Sequence, residues 1–336
     1  MMQGIYRIYK DGKLVAEQKN QMTVAGRSIV LKALMGLIPS IGGNIQVGIS
    51  NTPNGTSPNS TTTDGLITDT RLGFSVSSIP VRLAFLDNSG NYDAMVFRGT
   101  IPSNTDAFTI NELGIFPSNP DQERAFSELS LVSGTSTDGW LNTGVAISDV
   151  SGNPPSTSGY VSSAPTGFDG GFRVGSTALF LKQDQTLRIN KSFDQFTSSG
   201  QNAFNVEDFI SIAYSKKNTD TPKIILKFLY NDANYFSYEF TAASGHTYGF
   251  KDVLRSAFSR FGSSTLGWGT INAIEIKAEN ADVIIDAIRI NDNLNTDTTY
   301  GMVSRTVLGS GNVITKLASE AVDIEYYLSF GFNKAV

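Results

Sequence analysis

Cysteine is absent from this chain of 336 residues, and His246 is its only histidine. Zinc centres, thiol nucleophiles, disulfides and Cys–His pairs are excluded by that count. A Ser-His-Asp triad needs one histidine, but no Gly-x-Ser-x-Gly elbow presents a serine. His246 sits in Ala243-Ser244-Gly245-His246-Thr247, which predicts a solvated loop. Glycoside hydrolysis needs two carboxylates at a fixed separation. Glu207, Asp208, Glu275 and Asp286 are scattered, and solvated or turn-capping roles are expected of them. Asp286 differs because it follows Val283-Ile284-Ile285, and a carboxylate buried in an apolar strand needs a partner or a cation. Flat aromatic faces stack on pyranose rings, which makes Trp140, Trp268, Tyr235 and Tyr248 the candidate sugar platforms. Of these, Trp268 lies between Gly267 and Gly269 and reads as a core plug; Tyr235 and Tyr248 lie near turns and are the better candidates. Asn111-Glu112 lies between apolar strand residues and is expected to fix a turn by bonding backbone groups. Gly42-Gly43 and Gly309-Ser310-Gly311 lead into no helix followed by Lys, so they are turns and not phosphate loops.

The elements that must position these residues are mostly strands. Apolar residues make up 40% of the chain and charged residues 17%, with 32 glycines spread along it, a mix suited to short strands and many turns. The length allows two domains with separate cores. A formal charge of −5 and no cluster of Lys and Arg speak against nucleic-acid binding. No stretch reaches the roughly 18 consecutive apolar residues of a membrane span. The first residues lack the basic and apolar runs of a secretory signal, so a product made in the cytoplasm is expected.

Ile5 to Glu17 reads as a hairpin about Asp11-Gly12. Thr23 as N-cap and Gly36 as C-terminal glycine bracket a helix from Val24 to Met35. Apolar residues cover much of its circumference, which predicts packing on more than one side. Strands are expected at Ile45–Ile49, Ser78–Phe85, Ala94–Thr100 and Ala107–Phe116, with a long polar loop at 50–65. After a small-residue linker at 133–137 and a flexible loop at 151–159 comes a regular strand series. It comprises 178–181, 185–189, 209–214, 223–230, 235–241, 271–278 and 283–290, a spacing that predicts a sandwich or jelly roll. A short helix is expected within Tyr248–Arg260, and closing strands at 301–308 and 322–330.

Phe108-Thr109-Ile110-Asn111-Glu112-Leu113-Gly114-Ile115-Phe116 resembles the "xINEIGLF" strand of bacteriophage tail-fibre and related virion proteins. Their continuation, an "ITK" strand and a terminal strand, is similar to Val313-Ile314-Thr315-Lys316 and Val322 to Phe330, displaced far downstream. The displacement implies a discontinuous assembly domain, 1–130 with 295–336, into which 131–294 is inserted. The insert is similar to carbohydrate-binding-module jelly rolls at Asp138-Gly139-Trp140, Gly175 to Leu179, Phe209 to Tyr214, and Trp268 through Val283 to Ile290. That second resemblance implies glycan binding and a structural calcium held by Asp286, but Ala287 stands where the family carries a second acid.

The expected fold class is therefore mainly β: a small α+β assembly domain with one N-terminal helix, plus an inserted jelly-roll β-sandwich. The resemblances imply a non-enzymatic virion protein of the tail fibre, baseplate, collar or head-fibre kind, released by lysis and forming homo-oligomers. Other virion proteins would be its partners and host surface polysaccharide its ligand, with no cofactor beyond the calcium, no nucleic acid and no membrane insertion. The alternatives are a carbohydrate-binding adhesin module outside phages and a polysaccharide depolymerase; the latter would call for long β-helical repeats, which the sequence lacks.

Overall fold

The computed structural model describes residues 3–50, 72–87, 93–103, 107–117, 139–168, 172–192, 208–291, 301–309 and 312–329. The fold is mainly β, with one α-helix among the described residues, and it divides into two compact units. Met1–Ser127 and Asn293–Val336 form the first unit, Glu128–Asp292 the second. Glu207, the linker expected at 133–137 and, of the loop expected at 50–65, all but Ser50 lie outside the described residues.

Asp11 (φ 49°) and Gly12 (φ 73°) make the left-handed turn of a two-residue hairpin, joining β1 (Gln3–Lys10) to β2 (Lys13–Met22). Thr23 then caps α1 (Val24–Leu34) by accepting from the Gly26 amide at 2.8 Å, and Gly36 (φ 72°) ends it. A Cβ at Gly26 would meet the Val303 carbonyl oxygen at 2.0 Å, so only glycine allows the helix this close to the returning chain. The first unit continues through β3 (Asn44–Gly48), β4 (Ser75–Pro80), β5 (Leu83–Asp87), β6 (Ala94–Ile101), β7 (Phe108–Ile110) and β8 (Glu112–Phe116).

Within the second unit, β9 (Leu141–Asn142), β10 (Val145–Ala146), β13 (Thr186–Asn190), β15 (Lys223–Asn231), β16 (Asn234–Thr241), β18 (Ser259–Phe261) and β19 (Ala273–Glu279) form one antiparallel sheet, ordered β10-β9-β13-β19-β15-β16-β18. A second sheet holds β11 (Gly159–Val161), β12 (Ala178–Leu181), β14 (Phe209–Ser215), β17 (Tyr248–Leu254) and β20 (Val283–Asn291), ordered β11-β12-β20-β14-β17. Inward residues such as Leu226, Phe228 and Ile276 of the first sheet meet Leu179, Ile212 and Ile285 of the second in one core, which makes the unit a β-sandwich. The outer side of the five-stranded sheet is itself covered, with Val161 and Phe168 packed against Phe180 and Ile284.

The chain returns to the first unit as β21 (Ser304–Val307), β22 (Ile314–Lys316) and β23 (Val322–Ser329). The resulting sheet has the order β4-β3-β8-β21-β2-β1-β23-β6-β5. β23 pairs along its whole length with β1 on one side and β6 on the other. The register sets Glu17, Arg7, Glu325 and Arg98 side by side across four strands, a row of alternating charge that penalises slippage.

Three expectations are corrected. Ser78–Phe85 is not one strand: the chain breaks after Pro80, and β4 and β5 lie at opposite edges of the sheet. Tyr248–Arg260 holds no α-helix; it is β17, a single 3-10 turn at Arg255–Ala257, and β18. Helix α1 buries Gly26, Ile29 and Val30 but leaves Leu31, Leu34 and Met35 more than half exposed, so it packs on one side only.

Candidate ligand-binding face

On β13, β15, β16 and β19 alternate residues point into the sandwich, so the residues between them form the outer face of the seven-stranded sheet. Register aligns Arg188, Glu275, Lys227 and Ser237 in one row and Thr186, Lys277, Ile225 and Glu239 in the next. Arg188 reaches Asp232 at 2.8 Å and Glu275 at 3.5 Å. Lys277 pairs with Glu279 at 2.7 Å, and Lys223 with Glu239 at 2.8 Å. A cavity of about 180 Å³ opens among Thr186, Ile225, Lys227, Glu275, Lys277 and Glu279.

Beside these rows β16 and β18 bring Tyr235 and Phe261 into register, their rings stacked at 4.8 Å and 18°. Lys227 Nζ lies 4.9 Å from the Tyr235 ring centroid. Phe261 is exposed and Tyr235 half-buried. The face therefore combines an aromatic step with rows of charged donors and acceptors, the components that hold a sugar by stacking and by hydrogen bonds to its hydroxyls.

In glycoside hydrolysis a general acid needs a carboxyl group held above its ordinary range. Lys277, hydrogen-bonded to it, holds Glu279 below that range, with Lys223 adding to the effect. Among the described residues the carboxyl held above its ordinary range is Asp286, which is buried on the other sheet.

The four aromatic candidates separate by burial. Trp140 is 1% exposed and lies in the sandwich core. Trp268 is 7% exposed, stacked on Phe236 at 4.4 Å and 5° and edge-on to Phe258 at 5.4 Å. Tyr248 is also buried, with the Arg173 guanidinium 4.0 Å from its ring centroid. These three rings offer no open face to a sugar, because the core or the 172–174 segment already occupies their surfaces. Tyr235 is the candidate that stands on the outer face.

Asp286 is fully buried, and its Oδ2 accepts from the Arg173 amide at 2.7 Å and the Tyr248 hydroxyl at 2.5 Å. Burial pushes its carboxyl up to about 6 against the pull of these donors. Calcium requires six to eight oxygen ligands, and the groups on Asp286 Oδ2 are N–H and O–H donors. Among the described residues no group of three or more His, Cys, Asp or Glu side chains could hold a metal ion. Asp286 Oδ1 is buried with no hydrogen-bond partner among the described residues.

His246 is half-buried rather than solvated, edge-on to Tyr214 at 6.4 Å. Burial, with Lys216 nearby, holds its imidazole below the ordinary range. Asp208 is buried, and its carbonyl accepts from the Arg255 amide at 2.8 Å. Arg188, Lys227 and Phe261 were missed by residue type. The alternation in Ile274-Glu275-Ile276-Lys277 marks an outer face, but cross-strand register is what brings these residues together.

No protein-family model matches the chain, and no curated protein matches it. Among solved structures, the family 11 carbohydrate-binding module from Clostridium thermocellum, in complex with a β-1,3-1,4-mixed-linked tetrasaccharide, is 13% identical with a TM-score of 0.31, covering 50% of this chain and 97% of that one. The family 11 module of a cellulosomal cellulase of the same bacterium gives 13% and 0.29, covering 50% and 94%. The enzymatically active domain of tailspike protein 4 of bacteriophage CBA120 gives 13% and 0.23, covering 58% and 21%. At such scores the functional reading rests on the residues.

Proposed function

We propose that this chain is a non-catalytic structural protein of a bacteriophage virion. The discontinuous first unit is the assembly domain, and the inserted sandwich, a jelly roll, binds host-surface glycan on the face around Tyr235 and Phe261. The observation that carries the reading is the pairing of the segments that resemble virion proteins. β7 pairs with β22 residue for residue, Phe108 with Lys316 and Ile110 with Ile314, and β8 pairs with β21. Two strands adjacent in the sheet, β8 and β21, are thus separated in sequence by the whole sandwich, as expected of a domain inserted at a surface turn. The glycan part is supported by the Tyr235–Phe261 step and its flanking charges.

Two experiments test the two halves separately. Mass spectrometry of gradient-purified, salt-washed particles is expected to find the chain at a fixed ratio to the coat protein; its presence in the soluble lysate alone would overturn the virion role. A glycan array is expected to show binding by the wild-type chain and loss with Tyr235→Ala. Binding that survives in that variant would remove the assigned face, and release of reducing ends from host polysaccharide would overturn the non-catalytic reading.

A further inference from the structure

Helix α1 carries an apolar stripe that the other described residues leave uncovered. Its inward side is Gly26, Ile29 and Val30, held against the returning chain by the Thr23 amide, which donates to the Val303 carbonyl at 3.1 Å. On the outward side Val24 is 54% exposed, Leu31 61%, Leu34 71% and Met35 71%, and Leu37, just past the helix, is 65% exposed. At about 100° per residue, positions 24, 27, 28, 31, 34 and 35 fall on one stripe, whose polar members are Arg27 and Ser28.

We infer that this stripe is a self-association surface on which α1 of a second copy of this chain packs antiparallel, about a two-fold axis at Leu31. Two properties select a second copy as occupant. The first is self-complementarity: the axis sets Leu31 on its own counterpart, Ser28 on the partner's Leu34, and Arg27 on the partner's Met35. Val24 then meets the turn that carries the partner's Leu37. Arg27 and Lys32 are the charges on a helix that has no acidic residue, and this register keeps each Arg27 away from its equivalent while its aliphatic stem covers the thioether. The second is area: five residues at this exposure leave roughly 600 Å² bare, the upper end of what a monomer presents in one patch. Doubled by the two-fold, that is about 1,200 Å², the size at which stable specific interfaces begin. The inference concerns α1 alone and stands whether or not the chain belongs to a virion.

The test uses the full chain and takes advantage of its lack of cysteine. Light scattering after size exclusion is expected to give twice 36.2 kDa, and Leu31→Glu is expected to give the single-copy mass with the same melting temperature and circular dichroism. As a second variant, Leu31→Cys is expected to cross-link most of the chain to a dimer on mild oxidation. Val145→Cys, equally exposed but on the sandwich, is expected to remain uncross-linked. A single-copy or three-copy mass for the wild type, a Leu31→Glu variant that stays dimeric, or equal cross-linking at positions 31 and 145 would overturn the two-fold pairing.

Discussion

Glu112 and Arg305 stand 193 positions apart in sequence and meet at 2.5 Å, with neither side chain exposed to solvent. The Glu112 carboxylate also accepts from the amides of Gly73 at 2.9 Å and Phe74 at 2.8 Å, so one side chain ties together β8, the returning β21 and the segment before β4. Asn111 extends the tie by donating to the Ile49 carbonyl at 2.6 Å. Removing one member of a buried pair strands the other charge, at a cost of about 3–5 kcal/mol. Arg305→Ala is therefore expected to lower the urea midpoint of the first unit's unfolding and leave the sandwich transition in place. An unchanged midpoint would contradict the pair's role.

Trp268 and Tyr235 separate stability from binding. Trp268 is stacked on Phe236 inside the core, so Trp268→Ala is expected to cost the sandwich about 3–5 kcal/mol in denaturant unfolding. Tyr235→Ala on the outer face is expected to change stability by less than about 1 kcal/mol while glycan binding is lost. Equal destabilisation by both would place Tyr235 in the packing rather than on a binding face.

The buried carboxyl of Asp286 titrates near 6 when folded, against 3.8 in an unfolded chain. Between those values the folded chain holds a proton that the unfolded chain has released. The associated stability is fully present below the unfolded value and is lost as pH rises through the folded one, a change of about 3 kcal/mol. Asp286→Asn cannot titrate. The wild-type unfolding free energy, relative to that of Asp286→Asn, is expected to fall by this amount between about pH 4 and pH 7. A difference that stays constant over this range would show that Asp286 remains ionised.

Gly26 tests the seat of the helix. Its α-carbon is so close to the Val303 carbonyl that Gly26→Ala must push α1 outward, at a cost of about 1–3 kcal/mol despite the better helix propensity of alanine. A thermal melt that instead shows stabilisation would mean that α1 sits looser than described.

Much of this was legible where local chemistry decides the structure. Thr23 and Gly36 marked the ends of α1 and Asp11-Gly12 marked the hairpin, because caps and left-handed turns depend on near neighbours. Alternation at Ile274-Glu275-Ile276-Lys277 marked a half-exposed strand, since one side of β19 faces the core and the other faces outward. β17 was not legible: burial along it does not alternate, with Tyr248 and Gly249 both buried and Phe250, Lys251 and Asp252 all partly exposed. Trp140 was misread as a platform because it lies next to Gly139 in a turn-like stretch, although its ring enters the core. The exposed stripe of α1 was misread as buried because hydrophobicity alone does not distinguish a core residue from an exposed apolar one. The binding face was legible only in its parts: Tyr235 was visible by type, but the row Arg188, Glu275, Lys227 exists only once three strands are in register.

The most direct test of the whole account is an image reconstruction of intact particles in which this chain is traced. The account predicts density for the first unit in contact with neighbouring virion proteins, with the Tyr235 and Phe261 face of the sandwich open to solvent. A particle lacking such density, or one in which that face is buried against coat protein, would contradict it.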